Sequence, residues 1–325
     1  MSASLGTGVI IPVLTPLDPG GEVDEASLRR LLDHLLDHGV DGVFLLGTSG
    51  EFGFLTDAQR VAVVTATVRH VDGRVPVLVG ISDTATARAI EQARLLLPLG
   101  ADAAVATAPF FAETGPLEIG EHFRRIAEAI GDVPLLAYEN PPRVNGMSIP
   151  VPLLLDLAAE GVIAGVKDSS PDQGHLLSLL AGRSARGLSA LRVLSGSETA
   201  AAAAIRAGAD GLVPGLGNVD PGGYVELLRL ARAGDPGADA LQARLTALFG
   251  IVDIAPQAPM GGSSRALGAF KAACRLLGVI AEDRCAVPSV LLGEADRAAV
   301  AAVLAAHGPA GAAAGSARAA RTVGP

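Results

Sequence analysis

The chain has 325 residues, half of them apolar, and a net charge of −9 with both signs mixed along its length. That is enough apolar material for a large core without disulfides or structural metal. No basic run or aromatic-basic stripe points to a nucleic-acid partner, no apolar stretch of about 18 residues is free of a charge or a Gly/Pro break, and no basic-then-apolar leader opens the chain, so a cytoplasmic protein without a membrane span is expected.

In chain order, the pattern predicts a strand over Val9–Thr15 and a helix over Glu25–His38. A strand at Gly42–Gly47 leads to a helix at Asp57–Val71, whose Thr56-x-x-Gln59 start reads as a capping box. Strand Pro76–Ile81 precedes helix Ala85–Leu99, strand Asp102–Ala106 precedes helix Ile119–Ile130, and strand Val133–Glu139 precedes helix Pro150–Ala159. Strand Val162–Asp168 is followed by helix Pro171–Leu180, with Ser170 as its N-cap and Pro171 at the first helical position. Strands Leu191–Gly196 and Asp210–Pro214 are followed by helices Glu198–Ala207 and Gly222–Ala233. The strands are continuous apolar runs rather than alternating ones, which suits a parallel sheet covered on both faces. Eight strand–helix units over residues 1–233 predict an α/β chain folded as a (β/α)8 TIM barrel. A doubly wound open sheet competes, but no Gly-rich phosphate fingerprint follows the first strand. Beyond Gly234, Ala238–Val252, Ser263–Leu277 and Glu294–Ala306 predict three helices without strands between them, a C-terminal helical extension over 234–307. Residues 308–325 are rich in Gly and Ala and are expected to be disordered.

In such a barrel the chemistry sits at the C-terminal ends of the strands. Lys167 ends the run Val162-Ile-Ala-Gly-Val-Lys167 and is one of two lysines; the other, Lys271, falls on a predicted helix. Burial disfavours an ammonium, and the neutral amine attacks ketones. The competing reading of Lys167 is an ion pair, with Asp168 as the available partner. Gly47-Thr48-Ser49-Gly50-Glu51 follows the second strand. Gly47 lets the backbone approach a ligand, and N–H groups with the Thr48 and Ser49 hydroxyls can hold a carboxylate; an ordinary βα turn explains the same residues. Tyr138, one of two tyrosines, ends the fifth strand, where a phenol can shuttle protons or serve as a core aromatic. Arg143 just beyond it can grip a carboxylate with its planar fork or be a solvated loop charge. Glu51 and Asp168 lie near the site, with structural roles equally open. His34 and His38, four apart on the first helix, lack a third ligand and read as a solvated face. Cys274 and Cys285 stand outside any C-x-x-C pair and read as buried or incidental thiols of a reduced compartment. The signatures H-E-x-x-H, G-x-x-x-x-G-K-[ST] and G-x-S-x-G are absent.

Taken together and in order, these segments resemble the dihydrodipicolinate synthase and N-acetylneuraminate lyase family of class I aldolases. The resemblance runs from Gly8 to Val303. It rests on Val9-Ile-Ile-Pro-Val-Leu-Thr-Pro16, Gly47-Thr-Ser-Gly-Glu51, Tyr138-x-x-Pro141-x-Arg143, Gly165-Val-Lys-Asp-Ser169 and Lys271-Ala-Ala-Cys-Arg-Leu-Leu-Gly278. It implies that Lys167 forms a Schiff base with pyruvate or another 2-oxo acid, and that Thr48 and Ser49 bind the carboxylate of that adduct. It implies that Tyr138 moves protons at the C–C bond, and that Val213 on the eighth strand brings a backbone carbonyl near the site. It further implies a homotetramer built as a dimer of dimers, with no metal or organic cofactor. The chemistry is consistent, because a protonated imine is an electron sink that eases proton loss or bond cleavage beside it.

Two features depart from the family. Many members carry a Pro-Tyr-Tyr run after the fourth strand, whose tyrosine reaches into the neighbouring subunit and completes a hydroxyl relay. Here the run is Ala108-Pro109-Phe110-Phe111, and phenylalanine cannot pass a proton. The loop Arg143-Val-Asn-Gly146 is one residue longer than the family's common Arg-Thr-Gly, which alters the pocket for the far end of a second substrate. The leading expectation is therefore a lyase or aldolase that joins pyruvate to an aldehyde or releases it. Its substrate would be a 2-keto-3-deoxy sugar acid or a 4-hydroxy-2-oxo acid. The alternatives are 4-hydroxy-tetrahydrodipicolinate synthase, an imine-dependent dehydratase, and a non-catalytic 2-oxo acid sensor. A phosphate-sugar isomerase would need a phosphate grip, for which Gly215-Leu-Gly217 is the candidate, but it leaves Lys167 unexplained.

Overall fold

The computed structural model describes residues 6–256 and 259–309; most of the predicted tail, 310–325, lies outside the described residues. Eight parallel strands close into a barrel in sequence order. They are β1 (Gly8–Pro12), β2 (Gly42–Leu45), β3 (Val77–Gly80), β4 (Ala103–Thr107), β5 (Leu135–Glu139), β6 (Gly165–Asp168), β7 (Arg192–Ser195) and β8 (Gly211–Leu212). The helices around them are α1 (Glu25–Asp37), α2 (Asp57–Val71), α3 (Thr86–Leu96), α4 (Pro116–Ile130), α5 (Val151–Ala159), α6 (Gln173–Ala185), α7 (Ala201–Arg206) and α8 (Pro221–Ala233). Three more, α9 (Gly237–Phe249), α10 (Gly262–Leu276) and α11 (Glu294–His307), follow with no strand between them. The predicted barrel with C-terminal helices is thus the observed fold.

Local chemistry accounts for the elements. α1 buries Leu28, Leu31, Leu32 and Leu35, a single helical stripe that packs on the sheet. Each buried leucine contributes roughly 2 kcal/mol. The Thr56–Gln59 capping box forms at the start of α2 as predicted. Pro98 lacks the N–H needed to continue α3, which ends in a 3-10 turn at Leu97–Leu99. Three helix starts differ from expectation by two or more residues, and the first is α4, which begins at Pro116 rather than Ile119. Ser170 is not a cap: Asp172 caps α6, its side chain accepting from Gly174 N–H. Ser170 N–H is drawn instead to Asp168 Oδ1 at 2.8 Å, and its hydroxyl accepts from Asp172 N–H, so the chain turns once more before the helix. α7 begins at Ala201 rather than Glu198, which frees residues 196–200 as a loop at the barrel mouth.

The apolar side chains divide into two sets. A large outer set fills the space between sheet and helices. A small inner set, including Ile10, Phe44, Leu78, Val105, Leu136 and Leu194, plugs the barrel interior. Whatever stands above that plug faces the mouth.

Candidate functional site

Strand alternation decides which side chains reach the mouth. On β5, Leu136 and Tyr138 point inward while Ala137 and Glu139 point to the helices; on β6, Lys167 points inward and Asp168 outward. Tyr138 and Lys167 are direct register partners across β5 and β6. Lys167 is 5% exposed, and its Nζ lies 4.0 Å from the Tyr138 ring centre and 4.9 Å from that of Phe44. Two aromatic faces therefore line the ammonium in a cation–π arrangement. The ion pair of Lys167 with Asp168 is excluded, because neighbours on one strand face opposite sides. Asp168 instead bonds His175 on α6, Nδ1 to Oδ2, at 2.7 Å.

Around Lys167 opens a pocket of about 250 Å³. Thr48, Ser49, Tyr138, Arg143 and Val213, all singled out from sequence, line it together with Lys167. Gly47 does not. A Cβ there would come within 2.6 Å of the Phe44 ring, so packing rather than ligand approach requires this glycine. Thr48 Oγ1 and the Tyr138 hydroxyl are 3.1 Å apart, and Asn140 Nδ2 donates to that hydroxyl at 2.7 Å. Burial would raise the Tyr138 phenol, but the Lys167 charge and the hydrogen bonds of Thr48, Lys167 and Ser169 outweigh it and hold the group below its ordinary value. A phenol so held can release its proton and take it back. Arg143 stands at the exposed rim with its guanidinium bonded to the Ser263 hydroxyl, where α10 begins. The longer loop beyond it turns through two left-handed residues, Asn145 (φ 58°) and Gly146 (φ 78°).

Three polar lining residues were not recognised from sequence. Asn140 lay inside the Tyr138–Arg143 segment, but nothing in its spacing set it apart. Ser169 was part of a motif without a role of its own. Glu198 was assigned to a helix; it sits in the loop after β7, lines the pocket, and accepts from Gly215 N–H at 2.9 Å. Burial raises its carboxyl above the ordinary value, against hydrogen bonds from Gly215 and the nearby Lys167 charge. Its position at the C-terminal end of a barrel strand was the available signal. Glu198 also closes the phosphate-grip reading of Gly215-Leu-Gly217, since its carboxylate occupies the Gly215 N–H that a phosphate would need.

Behind the site, Glu139, Asp168 and His175 form a buried network. Glu139 accepts from the Ser148 hydroxyl at 2.5 Å and from Ile149 N–H at 2.8 Å, and His175 Nε2 lies 2.9 Å from the Ile149 carbonyl. Burial disfavours the His175 cation, but Asp168, the Ile149 carbonyl and Glu139 prevail and raise it to about 9. The network pins the far end of the Arg143 loop to β5 and β6. His34 and His38 stack edge-on at 4.9 Å, and His38 Nδ1 contacts the His34 carbonyl. Among the described residues no group of three or more His, Cys, Asp or Glu is placed to hold a metal. Both cysteines are buried and free, their thiols pushed up to about 12 by burial. Among the described residues no helix is long and apolar enough to cross a membrane.

Residues 6–307 match the model of the dihydrodipicolinate synthetase family. The chain is 36% identical over 229 residues to a 4-hydroxy-tetrahydrodipicolinate synthase of Stenotrophomonas maltophilia (strain R551-3), covering 70% of this chain and 75% of that one. It is 32% identical over 231 residues to an Escherichia coli (strain K12) protein named "Probable 2-dehydro-3-deoxy-D-pentonate aldolase", covering 70% and 75%. Among solved structures, a prophage protein of the dihydrodipicolinic acid synthase family from E. coli K12, in complex with pyruvate, superposes with a TM-score of 0.84 at 28% identity, over 92% of this chain and 98% of that one. Dihydrodipicolinate synthase from Bacteroides thetaiotaomicron superposes with a TM-score of 0.85 at 29% identity, over 92% and 98%.

Proposed function

Since the chain belongs to the dihydrodipicolinate synthetase family and is an aldolase-type lyase within it, we propose that it makes or breaks a C–C bond between pyruvate and an aldehyde through a Schiff base on Lys167. The observation that carries this reading is the buried Lys167 amine, set against the Tyr138 ring whose hydroxyl meets Thr48 and Asn140. In the cleavage direction, the Lys167 amine adds to C2 of a 4-hydroxy-2-oxo acid and water leaves, giving a protonated imine. Thr48 and Ser49 hold the carboxylate. Tyr138 accepts the C4 hydroxyl proton, the C3–C4 bond breaks, and its electron pair flows into the imine to leave an enamine and a free aldehyde. Tyr138 returns that proton to C3, and hydrolysis of the imine releases pyruvate and the amine.

Arg143 and Glu198 line the same pocket as Lys167. One cation and one raised carboxyl suit a polyhydroxylated or acidic chain, so a 2-keto-3-deoxy sugar acid or a 4-hydroxy-2-oxo acid is the proposed substrate class. The relative from Stenotrophomonas favours a second reading, 4-hydroxy-tetrahydrodipicolinate synthase. Against it, position 111 supplies no hydroxyl, and Phe111 projects into solvent with 88% of its surface exposed. An assembly as a homotetramer, a dimer of dimers, is part of the proposal. Phe111 and Leu117, 88% and 87% exposed, offer it apolar surface.

The test is a panel of 2-keto-3-deoxy sugar acids and 4-hydroxy-2-oxo acids assayed for pyruvate release. Turnover of one class is expected. Loss of substrate without pyruvate would assign the imine to a dehydratase, and a folded protein inert toward every compound in both directions would favour a sensor.

A further inference from the structure

The second lysine of the chain is not on the surface either. Lys271 on α10 is wholly buried, and its ammonium pairs with the Glu51 carboxylate, which is equally buried. Lys271 Nζ also donates to the Arg284 carbonyl at 2.7 Å, and Ala286 N–H donates to the other Glu51 oxygen at 2.6 Å. Every strong partner of this carboxylate thus comes from the C-terminal helices and the segment after α10.

Glu51 closes the loop that carries Thr48 and Ser49. That loop runs between two non-glycine residues in the left-handed region, Leu46 (φ 54°) and Glu51 (φ 60°). Such residues avoid this conformation unless their surroundings hold them in it. At Gly50 a Cβ would lie 2.8 Å from Leu46 N, so the loop is also wound tightly on itself. Glu51 N–H donates to the Thr48 carbonyl at 3.2 Å, and Thr15 Oγ1 donates to the Gly50 carbonyl at 2.9 Å. A shift of Glu51 is therefore passed directly to Thr48. A buried ion pair is a poor source of stability compared with apolar packing, but it fixes one geometry because a displaced partner leaves a naked charge.

We propose that the Glu51–Lys271 pair is a positioning device, through which the C-terminal helices set the Thr48–Ser49 loop to receive a substrate carboxylate. The inference rests on the Schiff-base reading above. It separates two roles: Lys167 takes the ketone, and the loop held by Glu51 recognises the carboxylate beside it. Damage to the pair should then weaken recognition of the carboxylate and spare reaction with the carbonyl.

Borohydride reduction of the imine on Lys167, read by mass, tests this with the full chain and two ketones. Pyruvate carries the carboxylate and acetone does not. Lys271→Met removes the cation. The double variant Glu51→Gln with Lys271→Met removes both charges and keeps a hydrogen-bonding group at 51, so no unpaired charge is left buried; far-UV circular dichroism confirms the fold. In the variants the pyruvate concentration for half-maximal trapping is expected to rise at least about tenfold, while trapping by acetone and the rate at saturating pyruvate stay within about twofold of the wild type. An unchanged pyruvate requirement in a folded variant overturns the proposal. So does an equal loss with acetone, which would assign the pair to general integrity of the barrel. A wild type that traps neither ketone sinks the Schiff-base reading and this inference with it; a wild type that traps pyruvate leaves the variants to decide.

Discussion

Replacing Tyr138 with phenylalanine removes one oxygen and leaves the ring that faces Lys167 Nζ at 4.0 Å. That oxygen meets Asn140 at 2.7 Å and Thr48 at 3.1 Å, and Lys167 and Ser169 also bond to it. Without it, Asn140 Nδ2 keeps only a long 3.5 Å contact to Thr48 Oγ1, and the open pocket lets water take up both groups. The loss of stability therefore falls low in the range for a broken hydrogen bond, about 1 kcal/mol, or roughly 2 °C in Tm for a chain of this size. The loss of rate is far larger. A positioned acid–base group contributes about 10²–10⁴-fold, equivalent to about 3–5 kcal/mol of barrier. Exchange of the pyruvate methyl protons for deuterium, followed by NMR, isolates the step. It requires imine formation and then proton loss from C3, with no aldehyde present. Tyr138→Phe is expected to slow exchange by that factor while its Tm scarcely moves. Exchange within about tenfold of the wild type would refute Tyr138 as the proton carrier.

Asn140 donates to the Tyr138 oxygen and so favours the phenolate; Asn140→Ala should move the limb of the exchange pH profile that reports Tyr138 upward, and an unmoved limb would contradict that role. His175 has a folded value of about 9, above its ordinary 6.5, so its stabilisation is complete below pH 6.5 and lost as pH rises to about 9. Thermal unfolding across that window should show a fall of up to about 3 kcal/mol in the wild type and little in His175→Gln. His122 behaves oppositely. Burial lowers it to about 4, so its contribution is present above pH 6.5 and lost as pH falls toward 4; His122→Gln should flatten that acid limb. If Phe111 seals a contact between copies, Phe111→Glu should lower the mass measured by light scattering, and an unchanged mass would remove Phe111 from the proposed interface.

The barrel was legible because its strands are uninterrupted apolar runs spaced by helical stripes, a pattern that does not depend on distant contacts. The pocket was legible where a reactive type stood at a strand end: Lys167, Tyr138 and Thr48. Glu198 was hidden because a helical pattern from 198 to 207 includes it, whereas the backbone turns into helix only at Ala201. Gly47 misled because a small residue after a strand signals either ligand approach or tight packing, and only the Phe44 ring, 2.6 Å from where a Cβ would stand, separates the two. The pairing of Lys167 with Asp168 was excluded by the pleat, which sends Asp168 away toward His175. The union of Glu51 with Lys271 spans 220 residues, and no local pattern announces a contact of that reach.

The central claim is the imine on Lys167, and the most direct measurement is borohydride trapping with pyruvate followed by peptide mass spectrometry. The expected result is a reduced pyruvate adduct on the peptide containing Lys167, absent in Lys167→Ala. No adduct in folded wild-type protein at excess pyruvate, or an adduct on Lys271 instead, would contradict it.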